Sequence, residues 1–209
     1  MRKVVLIMTT VYLIRHSKSE KINNIINSDN LQIQNEKQFL SIEGEELAKE
    51  KMNNDELKNI DALYSSNYLR ALGTAKYIAR NNNITINIHE GFGERKFGIS
   101  SWNEIPEDFY DRQASEENYK IGNGESQVDV RERMYKSLME VLEDDKKIAI
   151  VTHSTAMLFL LMKWCNITKD NVFYNDKIIA TTKVDNCDIF ELTFNDEKEL
   201  INIKKVINV

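Results

Sequence analysis

The sequence predicts an α/β fold: a three-layer α/β/α sandwich with a mostly parallel central sheet. Two matched segments carry this prediction. Residues 11–14 and 148–151 are short apolar runs, and each is followed by one further residue and then a His-Ser pair. Such runs are typical of buried parallel strands. Helical patterns separate the predicted strands, and this alternation is typical of a layered α/β domain.

The composition is that of an ordinary soluble globular protein, with 42% hydrophobic and 29% charged residues in 209. We expect one domain over residues 1–209, with residues 1–7 as an upstream extension or alternative start. A net charge of -5 argues against nucleic acid or an anionic membrane as the main partner. The N-terminal apolar run is too short for a signal peptide and no segment is long enough to span a bilayer, so we expect a cytoplasmic protein.

The first half of the chain alternates between predicted loops, helices and strands. In order, we expect a loop that can include a short helix over 18–38, a helix over 43–52, a strand over 60–64, a helix from about 67 to 80, and a strand over 84–88 near the sheet edge. Ser41 is a candidate N-cap for the first helix, and the Ser65-Ser66-Asn67 run supplies candidates for the second.

The second half begins with a glycine-rich loop and ends in a predicted hairpin. We expect a shaped loop over 89–98, a lid or short helices over 101–123, a helix from 126 to about 143, a strand over 148–152, a buried helix over 155–164, and a hairpin of segments 188–194 and 200–207. Ser126 and Asp129 have the spacing of a capping box ahead of the long helix.

His16 and His153 are the first candidates for chemistry, because both follow the matched strands. Open α/β sheets bind ligands at the carboxyl ends of their strands, so we expect the two side chains to share one phosphate-handling site. A neutral imidazole nitrogen of His16 can attack phosphorus and form a phosphohistidine. Arg15 can pair with phosphoryl oxygens in the bidentate geometry that lysine lacks, and His153 can donate a further hydrogen bond.

Arg70 lies in the first turn of a predicted helix, where a cation faces the positive end of the helix dipole. A bound phosphate would compensate that repulsion, whereas a solvent-exposed arginine is the alternative interpretation. Glu94 is the candidate general acid, but spacing alone does not separate it from Glu90. His89 has no matching partner, and we expect it to be structural or solvent-facing.

The sequence contains no HxH, HExxH or Cys/His cluster, no Walker loop and no GxGxxG. We therefore expect no dedicated metal site and no ATP or dinucleotide binding in the usual modes. Cys165 and Cys187 form no CxxC pair, and we expect two reduced thiols.

Several motifs, in order, resemble the histidine phosphatase superfamily, whose fold is phosphoglycerate-mutase-like. The chain is similar to the family in its RHG-type motif, its Ser-x-x-x-Arg-Ala-x-x-Thr-Ala segment, its acid loop, a Gly-Glu-Ser element and a second histidine, which here are Arg15-His16-Ser17, Ser66–Ala75, Glu94–Gly98 with Trp102 beyond, Gly124-Glu125-Ser126, and Val151–Ser154. The turn Leu40–Gly44 also resembles the family's entry into its first helix.

The resemblance implies that His16 is the phosphorylated nucleophile and that Glu94, rather than Glu90, is the proton donor. It implies a phosphate pocket formed by Arg15, Arg70 and His153, with no metal or cofactor. The chain departs from the family where serine replaces glycine, at Ser17 and Ser154. We expect activity to survive, because both serines are small and can donate hydrogen bonds, and Ser154 is expected to bind phosphate. Ser19 is expected to stand in for the family's threonine in phosphate binding.

Three functions remain open at this point. The resemblance favours a phosphatase acting on a small phosphorylated substrate. A phosphoglycerate mutase is the second possibility, although mutases resemble longer chains with an insertion between the acid and the second histidine, and only residues 95–152 lie there. The third is a non-catalytic phospholigand-binding module, since a set of site residues does not prove turnover. Substrate identity is expected to depend on residues 101–123.

Overall fold

The computed structural model describes residues 8–20 and 31–207. The interpretation of residues 1–7 as an extension therefore falls outside the described residues, as does part of the predicted loop over 18–38. The assignment of residues 1–209 to one domain stays a prediction.

A six-stranded sheet forms the centre of the molecule, with strand order β3-β2-β4-β1-β8-β9. Its strands are β1 (Thr9–Arg15), β2 (Ala62–Ser65), β3 (Ile86–Ile88), β4 (Lys147–Thr152), β8 (Ile189–Phe194) and β9 (Leu200–Lys205). The first four are mutually parallel, whereas β8 and β9 add antiparallel strands at one edge. The predicted mostly parallel sheet, its edge strand β3 and the terminal hairpin are thereby confirmed.

Helices cover both faces of this sheet. They are α1 (Leu31–Glu36), α2 (Ile42–Lys51), α3 (Leu69–Asn82), α4 (Phe109–Ser115), α5 (Gln127–Val141) and α6 (Ser154–Leu161). The alternation of β1 shows how the layers arise: Val11 and Leu13 pack with α5 and α6, while Tyr12 and Ile14 pack with α3. The apolar core is therefore divided between the two faces, as a three-layer α/β/α sandwich requires.

The predicted N-caps of two helices are confirmed. Ser41 caps α2 by accepting a hydrogen bond from the backbone N–H of Gly44. Ser126 and Asp129 form the predicted capping box of α5, in which each side chain accepts from the other residue's backbone N–H. Both caps satisfy N–H groups that have no partner within the helix.

The start of α3 differs from the prediction. The helix begins at Leu69 and its N-cap is Tyr68, which makes no side-chain cap bond, so the Ser65-Ser66-Asn67 run does not cap it. The hydroxyl of Ser66 is instead 2.8 Å from Nε2 of His153. Its contact with the backbone N–H of Tyr68 is long, at 3.4 Å. Ser66 therefore bonds to His153 instead of capping α3, the role that its position in the sequence predicts.

A second sheet was not predicted. Its three strands, β5 (Asn166–Ile167), β6 (Asn171–Tyr174) and β7 (Lys177–Thr181), pair in the order β5-β6-β7. They are two to five residues long, with a register shift between Val172 and Phe173. Strands this short carry too few alternations to be distinguished from a loop.

The division of the core makes a prediction about stability. Ile150 is fully buried in β4, whereas Ile178 in β7 is 61% exposed. Replacing Ile150 by alanine leaves a cavity beneath the site, so Ile150→Ala is expected to lower the free energy of unfolding by about 2–5 kcal/mol. The matched change Ile178→Ala is expected to alter it by about 0.5 kcal/mol or less. Urea unfolding measures both, and equal losses would contradict the assignment of the core.

Candidate active site

The two matched strands bring their histidines together. β1 and β4 are adjacent and parallel, with Arg15 in register with Thr152, so the next residue of each strand emerges at the same sheet edge. The imidazole rings of His16 and His153 lie edge to face, with centroids 5.0 Å apart. His153 is fully buried and His16 is 7% exposed. The two candidate histidines therefore meet at the carboxyl edge of the sheet, as expected.

Hydrogen bonds fix the proton on His16. Its Nδ1 lies 2.6 Å from the carbonyl oxygen of Ser17, which only accepts, so Nδ1 carries the proton. Its Nε2 accepts from Nε–H of Arg70 at 3.0 Å, so Nε2 holds the lone pair. Burial, and then the charges of Arg70 and Arg15, hold the pKa of His16 well below its ordinary value. The imidazole is neutral, with its nucleophilic nitrogen facing the arginine.

His153 holds the other tautomer. Its Nδ1 lies 3.2 Å from Nη2 of Arg70, which only donates, so Nδ1 is the acceptor. Its Nε2–H then donates to Oγ of Ser66. Burial, followed by the charge of Arg70, lowers the pKa of His153 as well. In this state Nδ1 presents a lone pair, so His153 can donate to a phosphoryl oxygen only after Nδ1 takes up a proton.

Arg70 connects the two histidines. It is the second residue of α3 and only 4% exposed, so the structure contradicts the alternative of a solvent-exposed arginine. Besides the histidines, its Nη1 donates to the carbonyl oxygen of Asn35 on α1 at 2.5 Å. Its backbone carbonyl accepts from Oγ1 of Thr74, which itself accepts the backbone N–H of Ser17. Thr74 therefore ties the start of α3 to the loop after His16.

Arg15 retains an unused donor. It is the last residue of β1, and its Nη1 donates to the carbonyl oxygen of Val184 at 2.5 Å. Its Nε is buried and has no hydrogen-bond partner within residues 8–20 and 31–207. A buried unpaired donor is costly unless a ligand satisfies it. An anion bound beside His16 would do so.

The carboxylate of Glu94 lies at the N-terminus of α6, the helix that begins directly after His153. Its Oε1 accepts from the backbone N–H groups of Ala156, at 3.0 Å, and Arg95, at 2.9 Å. Helix N-termini offer such unpaired N–H groups to a carboxylate. Glu90 is exposed and is the first residue of a 3₁₀ turn, Glu90–Phe92. The structure thus attaches Glu94, rather than Glu90, to the helix that begins after His153.

Some residues that build this site carry no sequence signal. The side-chain amide of Asn186 donates to the carbonyl oxygen of His16 at 3.2 Å. Asn35 and Val184 contribute only their backbone carbonyls. Backbone groups are present at every position, so spacing and residue type cannot identify these contacts. Ser66 lies inside a recognised motif, but its role as partner of His153 is evident only from the fold.

His89 is structural, as expected. Its Nδ1 accepts from the backbone N–H of Gly91 at 3.1 Å, and its Nε2 lies 3.2 Å from the carboxylate of Glu140. Within the described residues, no group of three or more His, Cys, Asp or Glu side chains is arranged to hold a metal ion. No helix in that part of the chain is long and apolar enough to cross a bilayer.

A family model decides the relationship. Residues 11–205 match the model of the histidine phosphatase superfamily, branch 1. The chain belongs to this superfamily. No curated protein matches the sequence.

Solved structures of histidine phosphatase type share the fold at low identity. The complex of mycobacterial glucosyl-3-phosphoglycerate phosphatase with inorganic phosphate has a TM-score of 0.66 and 15% identity, covering 96% of this chain and 97% of that one. A phosphoserine phosphatase from Entamoeba histolytica, bound to phosphoserine, has a TM-score of 0.64 and 20% identity, covering 94% and 96%. A putative alpha-ribazole-5'-P phosphatase from Escherichia coli has a TM-score of 0.60 and 16% identity, covering 96% and 95%.

The side chain of Ser17, which stands where the family motif has glycine, is buried and makes a hydrogen bond of its own. Ser17 is fully buried, and its hydroxyl donates to the carbonyl oxygen of Gly44 on α2 at 2.8 Å. Gly44 must itself be glycine, since a Cβ there would lie 1.9 Å from the carbonyl oxygen of Lys18. The Ser17 side chain therefore links the nucleophile loop to α2.

Ser154 and Ser19 are the other two predicted phosphate ligands. Ser154 is the partly buried first residue of α6, adjacent to His153. Ser19 pairs through its backbone with Leu40. Within the described part of the chain, its side chain makes no hydrogen bond to His16, Arg15 or Arg70. The roles of Ser19 and Ser154 stay predictions.

Burial of two neutral histidines makes stability depend on pH. In the unfolded chain a histidine has a pKa near 6.5, and in the folded protein the pKa values of His16 and His153 lie well below it. Below about pH 6.5 the unfolded state binds more protons than the folded state. The free energy of unfolding therefore decreases as the pH is lowered. The slope approaches about 1.4 kcal/mol per pH unit for each histidine.

The variant His16→Asn removes one of these groups. Its free energy of unfolding is expected to fall less steeply than the wild-type value between pH 6 and 5, by about 1.4 kcal/mol per pH unit. Urea unfolding at closely spaced pH values measures both slopes. Identical slopes would show that His16 is protonated in the folded state.

Proposed function

We propose that the protein is a phosphomonoester hydrolase that forms a phosphohistidine on His16, with Glu94 as general acid. One observation carries the proposal: the unprotonated Nε2 of a neutral His16 lies against buried arginine donors that a phosphoryl group can use. A neutral imidazole is nucleophilic, and guanidinium groups stabilise the charge on the phosphoryl oxygens. The named phosphatases with the same fold support this choice, as does the phosphate bound to one of them.

The reaction proceeds in two displacements. In the first, Nε2 of His16 attacks phosphorus, the P–O bond to the alcohol breaks, and Glu94 transfers its proton to the departing oxygen. In the second, water attacks the same phosphorus, Glu94 takes a proton from the water, and the P–N bond breaks. Throughout, Nδ1–H of His16 remains bonded to the carbonyl oxygen of Ser17, which supports the positive charge that the ring acquires.

Arg70 must change partners when substrate binds. It now donates to Nε2 of His16, to Nδ1 of His153 and to the carbonyl oxygen of Asn35. As the phosphoryl group approaches Nε2, the guanidinium turns its donors to the phosphoryl oxygens. Nδ1 of His153 no longer accepts from Arg70 and can be protonated. The resulting Nδ1–H then donates a hydrogen bond to a phosphoryl oxygen. Arg15 supplies its unpaired Nε–H.

Trapping of the phosphoenzyme tests the nucleophile. With an aryl phosphate carrying a labelled phosphoryl group, rapid quenching is expected to leave acid-labile, alkali-stable label on the wild type and none on His16→Ala. The value of kcat/KM for that variant is expected to fall by roughly 10³-fold or more. A folded wild type that binds inorganic phosphate without label or turnover would instead identify a binding module. A phosphoenzyme that resists water but transfers its phosphoryl group to a phosphoglycerate would identify a mutase.

Dependence on the leaving group tests Glu94. For Glu94→Gln, kcat/KM with an alkyl phosphate is expected to fall by roughly 10²–10⁴-fold, because the alkoxide needs a proton to depart. With 4-nitrophenyl phosphate the loss is expected to be much smaller, since nitrophenolate leaves unprotonated. If Glu90→Gln shows this pattern and Glu94→Gln does not, the general acid is Glu90.

A further inference from the structure

We propose that the alcohol released from the substrate is a small amino alcohol, whose ammonium group is held by Glu36 and Glu90. This inference rests on the proposed phosphatase function and names the substrate class of the same site. It derives from the cavity that adjoins Glu94, here called the leaving-group cavity, which is lined on its decisive sides by Gln32, Glu36, Tyr68, Glu90, Glu94 and Lys96.

The leaving-group cavity lies where the alcohol must depart. Glu94, the proposed proton donor, forms one wall. Tyr68 forms another, and its ring packs against His153 at 4.5 Å and beneath the guanidinium of Arg70 at 4.7 Å, measured to the ring centroid. The cavity has a volume of about 170 Å³. That volume suits an alcohol of a few heavy atoms.

The charges around the leaving-group cavity are unequal. Glu36 and Glu90 line it in addition to Glu94, whereas the cations that line it are Lys96 and Arg133. Arg133 is already neutralised, because its Nε and Nη2 bind both oxygens of Glu125 at 2.7 and 2.8 Å. Its Nη1 donates to two backbone carbonyls, those of Gly91 and Gly93.

Lys96 is the remaining cation, and its side chain is exposed to solvent, where water screens its charge. Glu90 is exposed as well, so water screens its charge in the same way and the charges of Glu90 and Lys96 largely offset each other, whereas Glu36 is partly buried and less screened. A carboxylate on the alcohol would therefore be repelled chiefly by Glu36. An ammonium group on the alcohol would instead be attracted by Glu36 and by the adjacent Glu90. The cavity accordingly discriminates against anionic alcohols and in favour of cationic ones.

Glu36 is held in place to make this contact. Nε2 of Gln32 donates to Oε1 of Glu36 at 2.6 Å and also contacts the hydroxyl of Tyr68 at 2.8 Å. The carboxylate is thereby fixed to the same aromatic ring that packs against the phosphate-binding groups. A fixed carboxylate loses less side-chain entropy on binding than a mobile one.

A matched series of substrates tests the inference. The three phosphomonoesters O-phosphoethanolamine, 2-hydroxyethyl phosphate and phosphoglycolate are nearly equal in size and differ in the terminal group, which is cationic, neutral or anionic. We expect kcat/KM to decrease in that order, with roughly a 10-fold or greater span from first to last. The span is expected to shrink when salt is added.

The variant Glu36→Gln keeps the size of the side chain and an acceptor for Gln32. We expect it to reduce the ratio of kcat/KM for phosphoethanolamine to that for 2-hydroxyethyl phosphate by several-fold. A folding defect lowers both rates and leaves their ratio unchanged. Glu50→Gln, on the distant helix α2, removes a surface carboxylate of the same type and is the matched control, for which the wild-type ratio is expected.

Each outcome is decisive. Equal rates for the three substrates, a preference for phosphoglycolate, or an unchanged ratio in Glu36→Gln would overturn the inference while leaving phosphatase function intact. Failure of the proposed function is recognised separately, by the absence of both turnover and phosphoenzyme with an aryl phosphate.

Discussion

The site depends on one buried cation, the guanidinium of Arg70. It is almost fully removed from water, and within residues 8–20 and 31–207 its side chain bonds to two neutral rings and a backbone carbonyl but to no carboxylate. Burial of an arginine without an ion pair is costly, and burial is the main cause that lowers its pKa. Its position at the N-terminus of α3 adds repulsion from the helix dipole. Under the proposed function, a phosphoryl dianion bound at Arg70 would relieve these costs together, and the energy would be recovered when substrate binds.

The same cation determines the state of both histidines. Because guanidinium groups only donate, Arg70 fixes the lone pair of His16 on Nε2 and that of His153 on Nδ1. Its charge also opposes protonation of either ring. Arg70 therefore sets His16 and His153 to opposite tautomers, with Ser17 and Ser66 accepting the two remaining ring protons.

Sequence patterns predicted the parts of this arrangement that depend on the sheet. Parallel strands end at one edge, so two apolar runs followed by His-Ser were enough to place His16 and His153 side by side. Features that depend on competition between partners were not predictable. The start of α3 is one example, since Ser66 satisfies His153 rather than the helix. The contacts from Asn35 and Val184 are another, because they use backbone carbonyls, and strands β5 to β7 are too short to show a pattern.

The contact between Arg70 and Asn35 gives α1 a role in both halves of the substrate. One side of this helix occupies a donor of the phosphate-binding arginine through the Asn35 carbonyl, while Gln32 and Glu36 line the leaving-group cavity. Gln32 also joins the hydroxyl of Tyr68, whose ring lies beneath that guanidinium. Under the proposed function, a phosphoryl group would take the Arg70 donor from Asn35, whereas the contact between Gln32 and Tyr68 would remain. Under the proposed function, α1 therefore adjusts around Tyr68 as phosphate binds, and recognition of the alcohol is physically linked to the positioning of the phosphoryl group.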